Sequence, residues 1–334
     1  MEYRYLGRSG LKVSAVGLGC NNFGMIIDAE KTKAVVDKAI EIGITLFDTA
    51  DVYGEQGKSE EYLGKALGTR RKQVIVATKF GSPMGKGLEL EGGGSRGYIM
   101  KAAEASLKRL GTDYIDLYQI HRPDPATPID ETMRALDDLV RQGKVRYIGH
   151  SNFAGWQAAD AAWVSKAWNL APFISAQNGY SILNRAIEAE LVPACQGHGV
   201  GILPFFPLES GLLTGKYKRG EAPPEGTRYA AWSGRGPGVA SRFFSDEKFA
   251  KAEQLQEIAA KYNHSMLEMA FGWLLAKPYV TSVIAGATRP EQLDQNLAAS
   301  LFRPSVEELQ QIDAVSPPPG GVALQPAQQT QQKR

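Results

Sequence analysis

Eight short apolar runs, each followed by a stretch of helical periodicity and repeating at roughly 30-residue spacing, predict an α/β protein of the (β/α)8, or TIM, barrel class. A β-hairpin precedes the barrel and a long loop covers its C-terminal mouth. Several of the runs are apolar with little alternation, the pattern of parallel strands buried on both faces. No G-x-G-x-x-G follows the first run: Gly17-Leu18-Gly19 leads into Cys20-Asn21-Asn22-Phe23, with the next glycine at Gly24, which argues against a doubly wound sheet.

In chain order, Tyr3 to Leu6, a Gly7-Arg8-Ser9-Gly10 turn and Leu11 to Ser14 form the hairpin. The barrel strands are expected at Val16 to Leu18, Thr45 to Phe47, Val74 to Thr78, Ile115 to Ile120, Val145 to Gly149, Ile174 to Gln177, Gly201 to Pro204 and Val280 to Ile284. Between them run amphipathic stretches, such as Ile129, Met133, Leu136 and Val140, or Ile99, Ala103, Leu107 and Leu110. The spacing breaks before the last strand, where a Gly/Pro-rich loop from Gly215 to Gly238 precedes helical patterns at Asp246 to Tyr262 and Ser265 to Lys277. A loop of that length over a barrel mouth reads as a ligand lid. Residues 1–315 form one barrel domain. The run Pro317-Pro318-Pro319-Gly320-Gly321 cannot continue a helix, so residues 316–334 are expected to be a Pro/Gln-rich mobile tail.

Composition narrows the function. The 334 residues are 43% hydrophobic, enough for a large core, and 38 basic against 36 acidic residues give a net charge of +2 without a long basic tract. That balance offers no nucleic-acid footprint. No apolar run approaches a membrane span, and Met1-Glu2-Tyr3-Arg4 does not open a signal peptide. Cys20 and Cys195 are the only cysteines and make no CxxC pair, so neither a disulfide framework nor a zinc site is expected; the default is a reducing, cytoplasmic setting. Monomer and homo-oligomer both stay open.

Chemistry concentrates at Leu46-Phe47-Asp48-Thr49-Ala50-Asp51-Val52-Tyr53-Gly54, an apolar run that breaks into polar residues. Strand two ends at Asp48, strand three runs into Lys79 and strand four into His121, so all three face the mouth with Tyr53, whose loop curls back through Gly54 and Gly57. Taken singly, Asp48 reads as a turn or cap residue, Tyr53 as a surface aromatic and His121 as a loop residue. Together they form a proton-transfer set. A lysine closing an apolar strand needs a partner, and Asp48 supplies it. The Lys79 ammonium is expected to lower the Tyr53 phenol from its usual value near 10, and His121 offers an N–H to an oxygen gaining negative charge. Such a site calls for a hydride donor.

With these residues in view, the chain closely resembles the aldo-keto reductase superfamily, near the branch that includes the potassium-channel β subunits. The tetrad Asp48, Tyr53, Lys79 and His121 matches, as do Ser59-Glu60, Gly149-His150-Ser151-Asn152-Phe153, Gly211-Leu212-Leu213-Thr214-Gly215-Lys216-Tyr217 and Gly286-Ala287-Thr288-Arg289-Pro290-Glu291-Gln292-Leu293. The resemblance implies a nicotinamide dinucleotide, NADPH before NADH, lying extended across the mouth. Ser151, Asn152 and Gln177 would hold its carboxamide, Phe205 would stack on its ring, and Cys20 and Asn21 would lie beside it with Asp48. Phe206, Pro207, Leu208, Ser210 and Gly211, with Lys216 and Arg228, would bracket the pyrophosphate. Gly286, Thr288, Gln292, Gln295 and Asn296 would grip the adenosine end, where Arg289, with Thr288 and Arg228, suits a 2′-phosphate. Two departures stand out: Phe206 replaces a smaller residue and is expected to crowd or reshape the pocket, and His150 replaces a small or apolar one and puts a second polar group near the cofactor wall, with its direction left open by the sequence.

The implied function is NADPH-dependent reduction of an aldehyde or ketone, reversible as alcohol oxidation, with the hydride from nicotinamide C4 and the proton from Tyr53. The alternative is a cofactor-sensing regulatory subunit like the potassium-channel β subunits; His121, which those subunits replace, favours the enzyme. Phe23, Met25, Tyr53, Phe80, Arg122, Phe206 and Trp232 are the expected pocket wall, which suits a bulky or aromatic carbonyl, with Arg122 admitting an anionic one. Gly211 to Lys216 fails as a Walker A loop, and His198 and His264 lack ligand partners, so no metal is expected.

Overall fold

The computed structural model describes residues 1–84, 92–225, 227, 229–230 and 243–321. Strands β1 (Tyr3–Tyr5) and β2 (Lys12–Ser14) pair antiparallel, with Tyr3 opposite Ser14. Eight parallel strands follow: β3 (Val16–Gly19), β4 (Leu46–Asp48), β5 (Ile75–Phe80), β6 (Ile115–Ile120), β7 (Val145–Ser151), β8 (Phe173–Gly179), β9 (Gly201–Phe205) and β10 (Val283–Gly286). They pair in the order β10-β3-β4-β5-β6-β7-β8-β9. The residues ahead of β10 close the ring on β9: Ile202 N–H donates to Tyr279 and Thr281 N–H donates to Ile202. The result is a nearly closed (β/α)8 barrel with its N-terminal hairpin.

Alternation along the strands divides the core in two. Leu46, Ala77, Leu117, Leu203 and Ile284 point into the barrel and meet Leu6, Leu11 and Val13 from the hairpin region, which plugs the bottom. Arg4 fastens the hairpin to the closing segment by donating to the carbonyls of Val280 (2.8 Å) and Leu275 (3.0 Å). The alternate residues, among them Val76, Phe80, Tyr118, Ile120 and Ile148, form the larger shell between strands and helices. Each fully buried leucine- or phenylalanine-sized side chain in these layers contributes roughly 1.5 to 3 kcal/mol relative to exposure.

The helices lie where the apolar periodicity puts them. Helices α1 (Ala29–Glu41), α2 (Tyr53–Leu67), α3 (Arg96–Leu110), α4 (Ile129–Arg141), α5 (Gly155–Trp168) and α6 (Leu191–His198) surround the first seven barrel strands. The lengthened crossover holds α7 (Asp246–Lys261) and α8 (Met266–Leu275); α9 (Pro290–Ser300) and α10 (Val306–Val315) finish the chain. Ser265 and Ser305 each close a capping box with the glutamate three residues on, which fixes where α8 and α10 begin. Of the expected lid, the described parts are anchored by Tyr217, whose ring meets Tyr229 and Phe244 edge-on beside Phe249 of α7. The remainder, including Arg228 and Trp232, lies outside the described residues, as does the sequence from Val322 to Arg334.

Two expectations need correction. The tail does not start at Ser316: that residue is buried, its carbonyl accepts from Arg185 (2.5 Å) and its hydroxyl donates to Ile182 (2.6 Å), so the folded body reaches past α10. His150 does not stand at the cofactor wall. Its neighbours Gly149 and Ser151 share the inward phase of β7, so His150 points into the outer shell, 4.6 Å from the Phe153 ring and 5.2 Å from Phe173.

Neither ring nitrogen of His150 has a hydrogen-bond partner among the described residues, and burial drives its pKa down to about 3. Folded protein therefore holds this histidine neutral, whereas the unfolded chain takes up a proton below about pH 6.5. Stability from this residue is present above that value and is lost progressively between about 6.5 and about 3, amounting to about 2 kcal/mol at pH 5. Urea titrations of wild type and His150→Leu at pH 8 and pH 5 are expected to give a larger stability advantage to the variant at pH 5; an advantage independent of pH would remove His150 as the cause.

Candidate active site

The barrel interior changes from apolar to polar one layer below the mouth, and the change centres on Lys79. Its ammonium is fully buried and donates to Asp48 Oδ1 (2.8 Å), Asp48 Oδ2 (2.7 Å) and the Thr49 carbonyl (2.9 Å). Asp48 Oδ1 also accepts from Gln177 Nε2 at 2.7 Å, and Ser175 donates to Gln119 at 3.1 Å in the same layer. Room for this layer comes from Gly149: a Cβ there would lie 2.0 Å from Ser175 Oγ. Burial disfavours the Lys79 charge, but the Asp48 carboxylate and the Tyr53 hydroxyl outweigh it and hold the pKa above the usual lysine value.

Tyr53 arrives from the turn after β4. Its N–H donates to Ala50 (3.1 Å), and Asp51 N–H donates to the Lys79 carbonyl (3.1 Å), so the turn is tied to the lysine's own strand. Beyond Tyr53 the chain makes a left-handed turn over Gly54, Glu55, Gln56 and Gly57, with φ of 66°, 57°, 67° and 113°. Gly54 is required there, because a Cβ would sit 2.4 Å from the Phe23 carbonyl oxygen. Glu55 and Gln56 adopt the same region at a cost of roughly 1 to 2 kcal/mol per residue. The curl expected from the two glycines is present and includes the two residues between them.

Lys79 Nζ stands 5.0 Å from the Tyr53 ring centroid, and the His121 ring lies 5.7 Å away, edge-on. The four residues expected to act together do meet. One electrostatic expectation reverses: the Tyr53 phenol is raised, not lowered, because burial outweighs the opposing pull of the Lys79 ammonium. Tyr53 is thus firmly protonated, as an acid must be. His121 is driven down to about 3 by burial and by the charges of Lys79 and Arg122, so its imidazole is neutral. Ser82 Oγ lies 3.3 Å from His121 Nδ1; in the tautomer where Nδ1 accepts, Nε2–H is left as a donor.

The expected cofactor residues line up along one side of this centre. Ser151 donates to the Gln177 carbonyl (2.7 Å) and Asn152, at φ 61°, donates to Ser151 (3.0 Å) and to the His121 carbonyl (3.0 Å). Phe205 is in the inward phase of β9 and stays partly accessible. After it, Phe206, Glu209, Ser210 and Gly211 all have positive φ, and Ser210 Oγ is buried with no partner among the described residues. Pro207 is buried and Leu208 packs against the outer shell. Lys216 reaches back over Gly211, where a Cβ would be 3.0 Å from its Nζ. Across the mouth, Cys20 is buried and its N–H donates to the Asp48 carbonyl; Asn21 and Asn22 flank Gly286, and Asn22 Oδ1 has no partner among the described residues. At the start of α9, Gln292 accepts from the Thr288 N–H (2.8 Å), Arg289 is exposed 3.8 Å from Glu291, Gln295 is exposed and Asn296 is buried. Unpartnered buried Ser210 and Asn22 oxygens, a lysine over a glycine turn and an arginine at a helix start fit a nicotinamide dinucleotide in chemistry, and these residues would hold it.

The substrate wall changes. Phe80 follows Lys79 and so points outward, fully buried with its ring 4.7 Å from Tyr118; Phe23 is likewise enclosed in the outer shell. Both are packing residues here and neither lines the mouth. Met25 and Arg122 are exposed, and Phe206 turns its ring toward Phe243 (5.2 Å) as well as Phe205 (5.2 Å). Sequence reasoning missed Gln119 and Ser175 as members of the polar layer; polar residues in inward phase on two apolar strands were the available signal.

A buried lysine–aspartate pair beside a protonated tyrosine and a neutral histidine, at the C-terminal mouth of a (β/α)8 barrel, is the site of an NAD(P)H-dependent oxidoreductase acting on carbonyl groups. Comparison with known proteins agrees. A sequence model described as the aldo/keto reductase family matches residues 15–317, and the chain belongs to that family. It is 38% identical over 321 residues to an L-glyceraldehyde 3-phosphate reductase of Escherichia coli O157:H7, covering 94% of this chain and 92% of the relative. It is 36% identical to a versiconal hemiacetal acetate reductase of Aspergillus parasiticus, covering 94% and 96%. A probable voltage-gated potassium channel subunit beta of Arabidopsis thaliana is also 36% identical, covering 90% and 91%. Among the described residues, no helix is long and apolar enough to cross a membrane.

Removing one partner of the buried pair leaves an uncompensated charge. Lys79→Met is expected to cost about 3 to 5 kcal/mol of stability, and adding Asp48→Asn to recover much of it without recovering activity. Denaturant titrations of the single and double variants, read beside turnover, check both halves; equal stability of the two would contradict the charge argument.

Proposed function

We propose that this chain reduces an aldehyde or ketone with NADPH and that Tyr53 donates the proton to the carbonyl oxygen. The observation that carries the reading is the enclosure of the Tyr53 ring between the Asp48-paired Lys79 ammonium and the neutral His121 imidazole. The bound nicotinamide supplies a hydride at C4. As the oxygen gains charge, Tyr53 passes it a proton, and the ammonium 5.0 Å from the ring centroid offsets the negative charge left on the phenolate. Asp48 holds the ammonium in place, and the imidazole N–H supports the oxygen. Ser151, Asn152 and Gln177 would hold the carboxamide, with Phe205 beside the ring.

A cofactor-sensing regulatory subunit is the second reading, in line with the Arabidopsis relative named as a probable voltage-gated potassium channel subunit beta, and His121 with its neutral ring argues for turnover instead. The names of the reductase relatives suggest carbonyl compounds of different size, one of them phosphorylated, and exposed Arg122 beside His121 suits an anionic group. NADPH is preferred because Arg289 extends from the start of α9 with Thr288 next to it; the Glu291 carboxylate at 3.8 Å is too exposed to hold the guanidinium firmly.

Tyr53→Phe removes the acid and keeps the ring, so kcat is expected to fall ~100-fold or more with NADPH affinity nearly unchanged. Retained turnover on a panel of aldehydes and ketones would rule out Tyr53 as the donor. For the cofactor, wild type is expected to favour NADPH over NADH by at least ~10-fold in kcat/KM, and Arg289→Ala to weaken NADPH by roughly 1 to 3 kcal/mol while sparing NADH. Fluorescence titration with both cofactors decides: equal losses would take Arg289 out of the 2′-phosphate site.

A further inference from the structure

Directly beneath the Tyr53 turn lies a second buried polar cluster that the chemistry above does not use. Asp51 is 1% exposed, and neither carboxyl oxygen has a hydrogen-bond partner among the described residues; the Val52 N–H faces the group without reaching hydrogen-bond geometry. Glu60 of α2 is fully buried beside it, already engaged by Thr78 Oγ1 (2.5 Å) and by Arg109 Nε of α3 (2.6 Å). Tyr118 of β6, also fully buried, has a hydroxyl without a partner among the described residues and feels the charges of Asp51, Glu60, Tyr98 and Arg109. Lys79 of β5 is the remaining charge that reaches Asp51.

This enclosure is unsuited to an anion. One carboxylate, Glu60, already takes the Arg109 Nε–H, so a second negative charge at Asp51 would meet burial and repulsion that outweigh the pull of Arg109, the Val52 N–H and Lys79. The backbone cannot yield quietly either. Asp51 N–H is bonded to the Lys79 carbonyl, Tyr53 N–H to Ala50, and the left-handed turn from Gly54 to Gly57 holds non-glycine residues at positive φ. Movement of Asp51 is therefore movement of Tyr53, two residues on.

We propose that Asp51 is a positioning residue for Tyr53: as a neutral acid it fits the dry wedge between β5, β6 and α2 and holds the turn against Lys79, and on ionising it leaves the wedge and withdraws the phenol. The inference rests on the reading of Tyr53 as the proton donor. Burial first, then the neighbouring Glu60, raise the Asp51 carboxyl to about 8, while Arg109, the Val52 N–H and Lys79 oppose the rise. Ionisation thus falls within the range an enzyme meets, well below the loss of the Tyr53 proton itself, which burial pushes upward.

The test uses the full chain and two readouts. In tyrosine-labelled apoprotein, the ring resonance of Tyr53, identified by its absence in Tyr53→Phe, is expected to shift with a midpoint near pH 8 in wild type and to stay fixed in Asp51→Asn. In steady-state reduction, wild-type kcat is expected to fall about fivefold or more between pH 7 and pH 9.5, whereas Asp51→Asn, which has the same shape and cannot ionise, stays nearly flat over that range. Glu60→Gln removes the repelling charge and is expected to move both midpoints to lower pH, so the inference remains testable if Asp51→Asn fails to fold. A Tyr53 resonance that ignores pH, or an alkaline decline that persists unchanged in Asp51→Asn, overturns the positioning role. Absence of turnover by wild type at every pH would instead refute the reductase reading, and the resonance would still judge Asp51.

Discussion

An ammonium and a carboxylate enclosed together inside the barrel set the terms for everything around them. Lys79 is fully buried, and an unpaired charge there would destabilise the fold by several kcal/mol. The ammonium is matched by the Asp48 carboxylate and the Thr49 carbonyl, and Asp48 is matched in turn by Gln177. The pairing dictates a polar layer in an otherwise apolar interior, and that layer needs Gly149 to make room for Ser175. The hairpin plug, Leu6, Leu11 and Val13, closes the other end, so the polar layer faces only the mouth.

The same constraint organises the reactive groups. Asp48 ends β4, and the turn that begins there must return Tyr53 to the ammonium it faces, which accounts for the left-handed run at Gly54 to Gly57. Burial raises the phenol and lowers both His121 and His150, yet the two histidines differ in use. His121 lies at the mouth with Ser82 as a partner, whereas His150 sits among phenylalanines with none among the described residues. One layer of strand residues separates a group available for chemistry from one that makes the fold sensitive to acid.

The sequence by itself determined the barrel and the meeting of four groups, because both are written in short-range patterns. Apolar runs at regular spacing specify strands and helices, and Asp48, Lys79 and His121 sit at or next to the ends of β4, β5 and β6, where parallel pairing brings them to one rim. Only the tertiary structure decided matters that depend on strand phase and enclosure. Phe80 and His150 face the helices because Lys79 and Gly149 face the barrel, and a one-residue step reverses the side on which a residue stands. The direction of the Tyr53 shift hung on the balance of burial against one ammonium. Ser316 was bound to the body by Arg185, a residue 131 positions earlier, which no local reading of Pro317 and its neighbours reveals. Asp51 looked like one more polar residue in a loop; its lack of hydrogen-bond partners among the described residues came from where α2, α3 and β6 pack, and that is set by the whole chain.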